Sequence, residues 1–171
     1  MNKVTAFIIT TLLTGIIMTG CKKDQNPRLP DDTKSAALPL VKADKGSSTT
    51  ISDIATFQGK FSVGLYFADK EQPKKMDVVV ALNKVYTNVK VLKADVTTYP
   101  TSFTVTAQQL ADLFGAKADT LPNGTTFEIG ANVFMSNGLM VPIFNPYGSS
   151  YGPDASSYTG SSLKVTYKID R

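Results

Sequence analysis

The run from Thr125 to Phe144 restricts the fold more than any other part of the chain. Two apolar-patterned segments, 125–135 and 139–144, flank Ser136-Asn137-Gly138. Asn-Gly between such segments is the strongest short hairpin signal, because a type I′ turn needs positive φ at both central residues. With Asn137 and Gly138 as those residues, Met135 faces Met140, Val133 faces Pro142 and Ala131 faces Phe144. One face then carries Phe127, Ile129, Ala131, Val133, Met135, Met140, Pro142 and Phe144, all apolar, and a slip of one residue would scatter the set. Pro142 falls at a non-hydrogen-bonded pair, which marks an edge or a bulge.

From Ile51 onward the rest of the chain extends this β reading. Phe61, Val63, Leu65 and Phe67 alternate with polar or small residues, the period of a strand with one buried face. Met76 to Leu82 is nearly continuous and valine-rich, as expected of a central strand covered on both sides. Shorter strands are predicted at Val89–Leu92 and Ser102–Thr106, and a closing strand at Leu163–Ile169. Between them, Thr106 and Gln109 have the spacing of a capping box. Leu110, Leu113 and Phe114 share one helical face, and Gly115 is the expected stop. The prediction is an all-β protein: an immunoglobulin/fibronectin-III-like β-sandwich of seven to eight strands with one short helix.

The beginning of the chain has a different character. Lys3 followed by the apolar run Val4–Met18 has the form of a secretory signal, too short to span a bilayer comfortably. Met18-Thr19-Gly20-Cys21 resembles a bacterial lipobox, with Met18 in place of the preferred Leu. The resemblance implies that Cys21 becomes the first mature residue and carries the lipid, and several acyl chains anchor firmly where one would not. Residues 22–50 are polar, contain Pro27, Pro30 and Pro39, and read as a tether. The expected organisation is a signal peptide at 1–20, a lipidated tether at 21–50 and the sandwich domain at 51–171. Lys22-Lys23-Asp24 loosely resembles the surface-export signal of lipoproteins of Bacteroidota, which implies an outer-membrane, surface-exposed location.

What is missing narrows the chemistry. The chain has no His and no Trp, a single Cys and a net charge of only +4 with scattered lysines. Histidine is the commonest general base and metal ligand, one Cys allows neither a disulfide nor a thiolate cluster, and no basic stripe suggests nucleic acid. Carboxylates alone remain for acid–base work. No pair reads as facing across a cleft, since Glu128 falls on the polar face of an outer strand. The expectation is a non-enzyme without cofactor or metal. The loop 145–162 holds Tyr147, Tyr151 and Tyr158 beside Asn145 and Asp154, a combination suited to carbohydrate. Asp119-Thr120-Leu121 resembles a short O-glycosylation pattern of exported Bacteroidota proteins, with Thr120 as acceptor. Asn123-Gly124-Thr125 matches an N-glycosylation acceptor in form but reads as turn chemistry.

The run Ser102–Gly115, followed by Thr126–Val133, resembles part of the immunoglobulin-like N-terminal domain of SusE-type outer-membrane lipoproteins of Bacteroidota. In that family a Tyr/Phe-x-(Val/Ile)-Thr strand leads to a Leu-containing helical turn and then a long strand. Ala111 stands where the family often has Asn, and no binding residue is carried over. The resemblance implies an accessory component of a glycan or nutrient uptake system, with polysaccharide or an outer-membrane transporter complex as partner. The alternative is a structural adhesin or fimbria-like subunit that pairs strands between chains, with the Pro142 edge as a docking site.

Overall fold

The computed structural model describes residues 34–171; the signal segment, Cys21 and the first part of the expected tether lie outside the described residues. In chain order the elements are β1 (Pro39–Ala43), β2 (Thr50–Ile51), β3 (Gly59–Leu65), β4 (Lys75–Leu82), β5 (Val89–Val96) and β6 (Thr101–Val105). Helix α1 (Ala107–Asp112) and a 3-10 turn (Ala118–Thr120) come next, before β7 (Thr126–Phe134), β8 (Met140–Val141), β9 (Phe144–Asn145) and β10 (Gly148–Ser149). Helix α2 (Pro153–Ser157) and β11 (Lys164–Ile169) complete the domain. Seven of these strands have five residues or more and four have two, so the expected seven to eight strands are the long ones.

Two sheets face each other. One has the order β1-β3-β6 and the other β2-β11-β7-β4-β5, with β8 added to β7. Strands β3 and β6 are neighbours in one sheet, and β4, β7 and β11 are neighbours in the other, the arrangement of an all-β sandwich. Between the sheets lies the main core, to which Phe61, Val63, Val78, Val80, Phe127, Ile129 and Tyr167 all contribute. Helix α1 packs Leu110 into that core. Its cap is the expected box: Thr106 Oγ1 accepts the Gln109 N–H at 3.1 Å and Gln109 Oε1 accepts the Thr106 N–H at 2.9 Å. Gly115, with φ +67°, turns the chain away after the helix.

Strand β4 is central, between β5 and β7. Its second face is covered by the segment 143–163: Val79 and Ala81 pack with Ile143, Phe144 and Leu163. This crossing is why β7 has a glycine at 130. A Cβ there would sit 2.7 Å from Ile143 Cγ1, so the close approach of the segment requires a residue without a side chain.

The structure corrects several expectations. Residues 39–43 are not tether. β1 pairs antiparallel with β3 from Pro39↔Leu65 to Ala43↔Phe61, and Val41 is fully buried. Its proline hid it, yet Pro is tolerated at the first position of an edge strand, and β1 is an edge. The domain therefore begins before residue 39 rather than at 51. The hairpin register is also one residue off. Phe134 pairs with Met140 and Val133 with Val141, while Met135 N–H donates to Leu139 O at 2.8 Å. Only Gly138 has positive φ (+80°), and Asn137 Oδ1 instead accepts the Leu139 N–H at 2.9 Å. The loop is thus three residues with glycine in the left-handed position, the next most common hairpin. The shift turns Met140 out to 48% exposure and sets Leu139 and Val141 against the core. On β7 the predicted face is correct, since Phe127, Ile129, Ala131, Val133 and Met135 are all buried.

Pro142 marks the end of a ladder. Asn132 Oδ1 takes the Ile143 N–H at 2.9 Å, and the chain leaves onto the outer face of the sheet. Phe67 lies past the end of β3 and is 42% exposed. A second helix, α2, stands where a plain loop was expected. Its Pro153 occupies the first turn and Asp154 is acidic there, both ordinary helix-start signals.

Candidate functional site

The structure separates the three loop tyrosines. Tyr147 is fully exposed in the β9–β10 turn, where its N–H donates to Asn145 Oδ1 at 2.8 Å, and among the described residues it joins no ring cluster. Tyr151 is half-buried against the outer core, and its hydroxyl donates to Ala37 O at 3.2 Å. Burial pushes its pKa well above the usual tyrosine range. It clasps the 145–162 segment to the entry segment and is not a displayed ring.

Tyr158 is different. It is 49% exposed and stacks on Tyr66, with centroids 5.6 Å apart and planes at 25°. Phe67 meets Tyr158 edge-on at 5.9 Å and Tyr66 edge-on at 4.8 Å. The three rings hold one another in the offset and edge arrangements that aromatic quadrupoles favour. Tyr66 is fixed further by its hydroxyl, which donates to Thr159 O at 2.9 Å, and by its N–H, which donates to Leu38 O at 2.9 Å. Two of the three rings were missed in the sequence because Phe67 continued the period-two pattern of β3. The signal against that reading was the charged turn Asp69-Lys70-Glu71 immediately after it. Phe67 also borders a recess of about 340 Å³ lined by Ser35, Ala36, Ala37, Leu38, Lys70 and Glu71.

A second polar cluster corrects the expectation for Glu128. This residue is 2% exposed, not on a solvated face. Its Oε1 is 2.7 Å from Lys164 Nζ, and its Oε2 accepts the Tyr86 hydroxyl at 2.7 Å. The Tyr86 ring stacks on Phe144 at 5.0 Å. Burial, then the Glu128 carboxylate, raises the Tyr86 pKa. Burial pulls Lys164 down, but its bond and attraction to Glu128 outweigh this and leave it raised. A cavity of about 270 Å³ adjoins the cluster. Both carboxylate oxygens are engaged, and the arrangement pins β7, β11 and the Tyr86 loop together.

Thr120 lies at the exposed end of the 3-10 turn, with its hydroxyl donating to Lys117 O at 2.8 Å. Asn123-Gly124-Thr125 is a turn, as expected. Gly124 has φ +89°, Thr125 is 2% exposed, and the Asn123 side chain is bonded to the backbone of Arg171. Among the described residues no group of three or more acidic, His or Cys side chains could hold a metal ion.

The buried tyrosines give the fold an alkaline limit. Tyr86, Tyr99, Tyr151 and Tyr167 all have raised pKa values, Tyr167 to about 12, with burial the largest cause in each. A group whose folded pKa exceeds its unfolded value loses protons first in the unfolded chain, so stability falls as pH rises. The loss begins near pH ~10, the unfolded tyrosine value, and each tyrosine steepens it by up to about 1.4 kcal/mol per pH unit until its folded pKa is reached. Denaturant melts from pH 8 to 12 should show a plateau followed by this decline. Tyr167→Phe should make the decline shallower between pH 10 and 12, and an unchanged slope would remove Tyr167 from the account.

Comparison with protein-family models, curated proteins and solved structures finds no match to this chain.

Proposed function

We propose that this chain is a lipid-anchored, non-catalytic binding protein of the outer membrane. It serves as a surface-exposed accessory component of a glycan or nutrient uptake system, alongside a membrane transporter complex. The observation that carries the reading is the exposed cluster of Tyr66, Phe67 and Tyr158. Rings displayed on a rigid scaffold suit the C–H face of a sugar, while polar groups at their border can meet its hydroxyls. The lipobox-like Met18–Cys21 and the SusE-like segments Ser102–Gly115 and Thr126–Val133 support the same setting. Of the tyrosines expected to bind, Tyr158 keeps that role, Tyr147 becomes a control and Tyr151 a structural clasp.

Glycan-array binding by the full chain, followed by affinity-gel measurements, tests this. Phe67→Ala and Tyr158→Ala should each weaken retention by roughly tenfold, the scale of one lost aromatic contact of ~1.4 kcal/mol. Tyr147→Ala should leave it unchanged. Binding to no polysaccharide, or equal loss with Tyr147→Ala, would end the proposal. The strand-exchange alternative draws less support, because the chain leaves the β8 ladder at Pro142 and covers the sheet with its own segment.

A further inference from the structure

Phe67 belongs to two features at once: the aromatic cluster and the recess beside it. The recess is walled by the apolar Ala36, Ala37 and Leu38, while Ser35, Lys70 and Glu71 supply a hydroxyl, an ammonium and a carboxylate. These polar groups are weakly committed. Among the described residues Lys70 pairs with Asp69 at 3.3 Å, with side chains 71% and 74% exposed, and Ser35 donates to Glu71 across a long 3.3 Å. Exposed pairs of this kind contribute little and exchange readily for other partners. The floor is therefore apolar and the rim offers both donors and acceptors. One charge of each sign at the rim provides no field that would favour a polyanion.

We propose that the recess is a second subsite continuous with the aromatic cluster, so that the ligand is a neutral oligosaccharide of two or more units rather than a monosaccharide. This rests on the glycan-binding reading above. One unit stacks on the rings of Phe67 and Tyr158. The next enters the recess, with its hydroxyls on Lys70, Glu71 and Ser35. The entry segment 35–38 is thereby a wall of the binding site.

Calorimetry on the full chain with maltose-series, cellulose-series and galacturonate oligosaccharides of one to four units tests the inference. Affinity for one of the neutral series should rise by about tenfold from the single sugar to the trimer, as a further subsite contributing ~1.4 kcal/mol requires. Ala36→Trp, at an exposed position, should fill the recess and abolish that increase while leaving the melting temperature unchanged. Equal affinity for monomer and trimer, or an increase that survives Ala36→Trp, overturns the second subsite. Binding confined to galacturonates also overturns it but leaves the glycan-binding reading standing. No binding to any series overturns both.

Discussion

Lys164→Met is expected to lower stability by about 2–3 kcal/mol, because it leaves the Glu128 carboxylate buried without its cation. Removing one partner of a fully buried pair costs more, and the figure is reduced here because the Lys164 side chain is 41% exposed whereas that of Glu128 is 3% exposed. Adding Glu128→Leu to Lys164→Met should restore most of the stability, since an apolar replacement of a buried pair is often neutral. Chemical denaturation of Lys164→Met and of the double variant measures both outcomes. A loss below about 0.5 kcal/mol would show the pair to be an ordinary surface contact.

The larger effect is expected at Tyr167. Its side chain is fully buried, its ring meets Phe57 edge-on at 5.5 Å, and it lies directly over Gly59. Tyr167→Ala should cost about 3–5 kcal/mol, the usual price of emptying a large aromatic site. Gly59→Ala attacks the same contact from the other side. Its Cβ would sit 2.7 Å from both Cε1 and Cζ of the ring, and overpacking of this kind costs about 1–3 kcal/mol. The two changes should not add. Removing the ring takes away two of the three close contacts and leaves the Phe57 ring, whose Cζ would lie 2.9 Å from the new methyl, room to shift, so the double variant should lose clearly less than the sum of the two single losses. Additive losses would mean that strain elsewhere, not this clash, accounts for the glycine.

Strands with a strong period were legible in the sequence because each face meets a uniform environment. β4 reads as buried on both sides and is, and β7 presents its odd-numbered side chains to the core as its alternation dictates. The capping box at Thr106 was equally plain, because its two bonds are made within four residues. What stayed hidden depended on distant parts of the chain. Glu128 reads as solvated by alternation, and only the fold-back of 143–163 with Lys164 and Tyr86 buries it. The register of the hairpin turned on whether Asn137 would adopt positive φ or spend its side chain on the Leu139 amide. The aromatic cluster joins residues 92 positions apart, Tyr66 to Tyr158, and nothing local in either segment announces the other. β1 was concealed by Pro39, a residue that suits an edge strand as well as a tether.

The early start of the domain has a mechanical consequence. On the proposed reading, in which Cys21 carries the lipid, thirteen residue steps lead to Lys34, at most ~45 Å when fully drawn out. The place where the chain enters is also a border of the proposed binding site, since residues 35–38 and Phe67 line one recess. A pull on a bound polymer would then pass to the anchor through the Tyr66–Leu38 backbone bond and the Tyr151 clasp on Ala37. That load path is only a few residues long. It runs beside the start of the β1–β3 ladder, so tension on the leash would be met first where the chain enters that sheet.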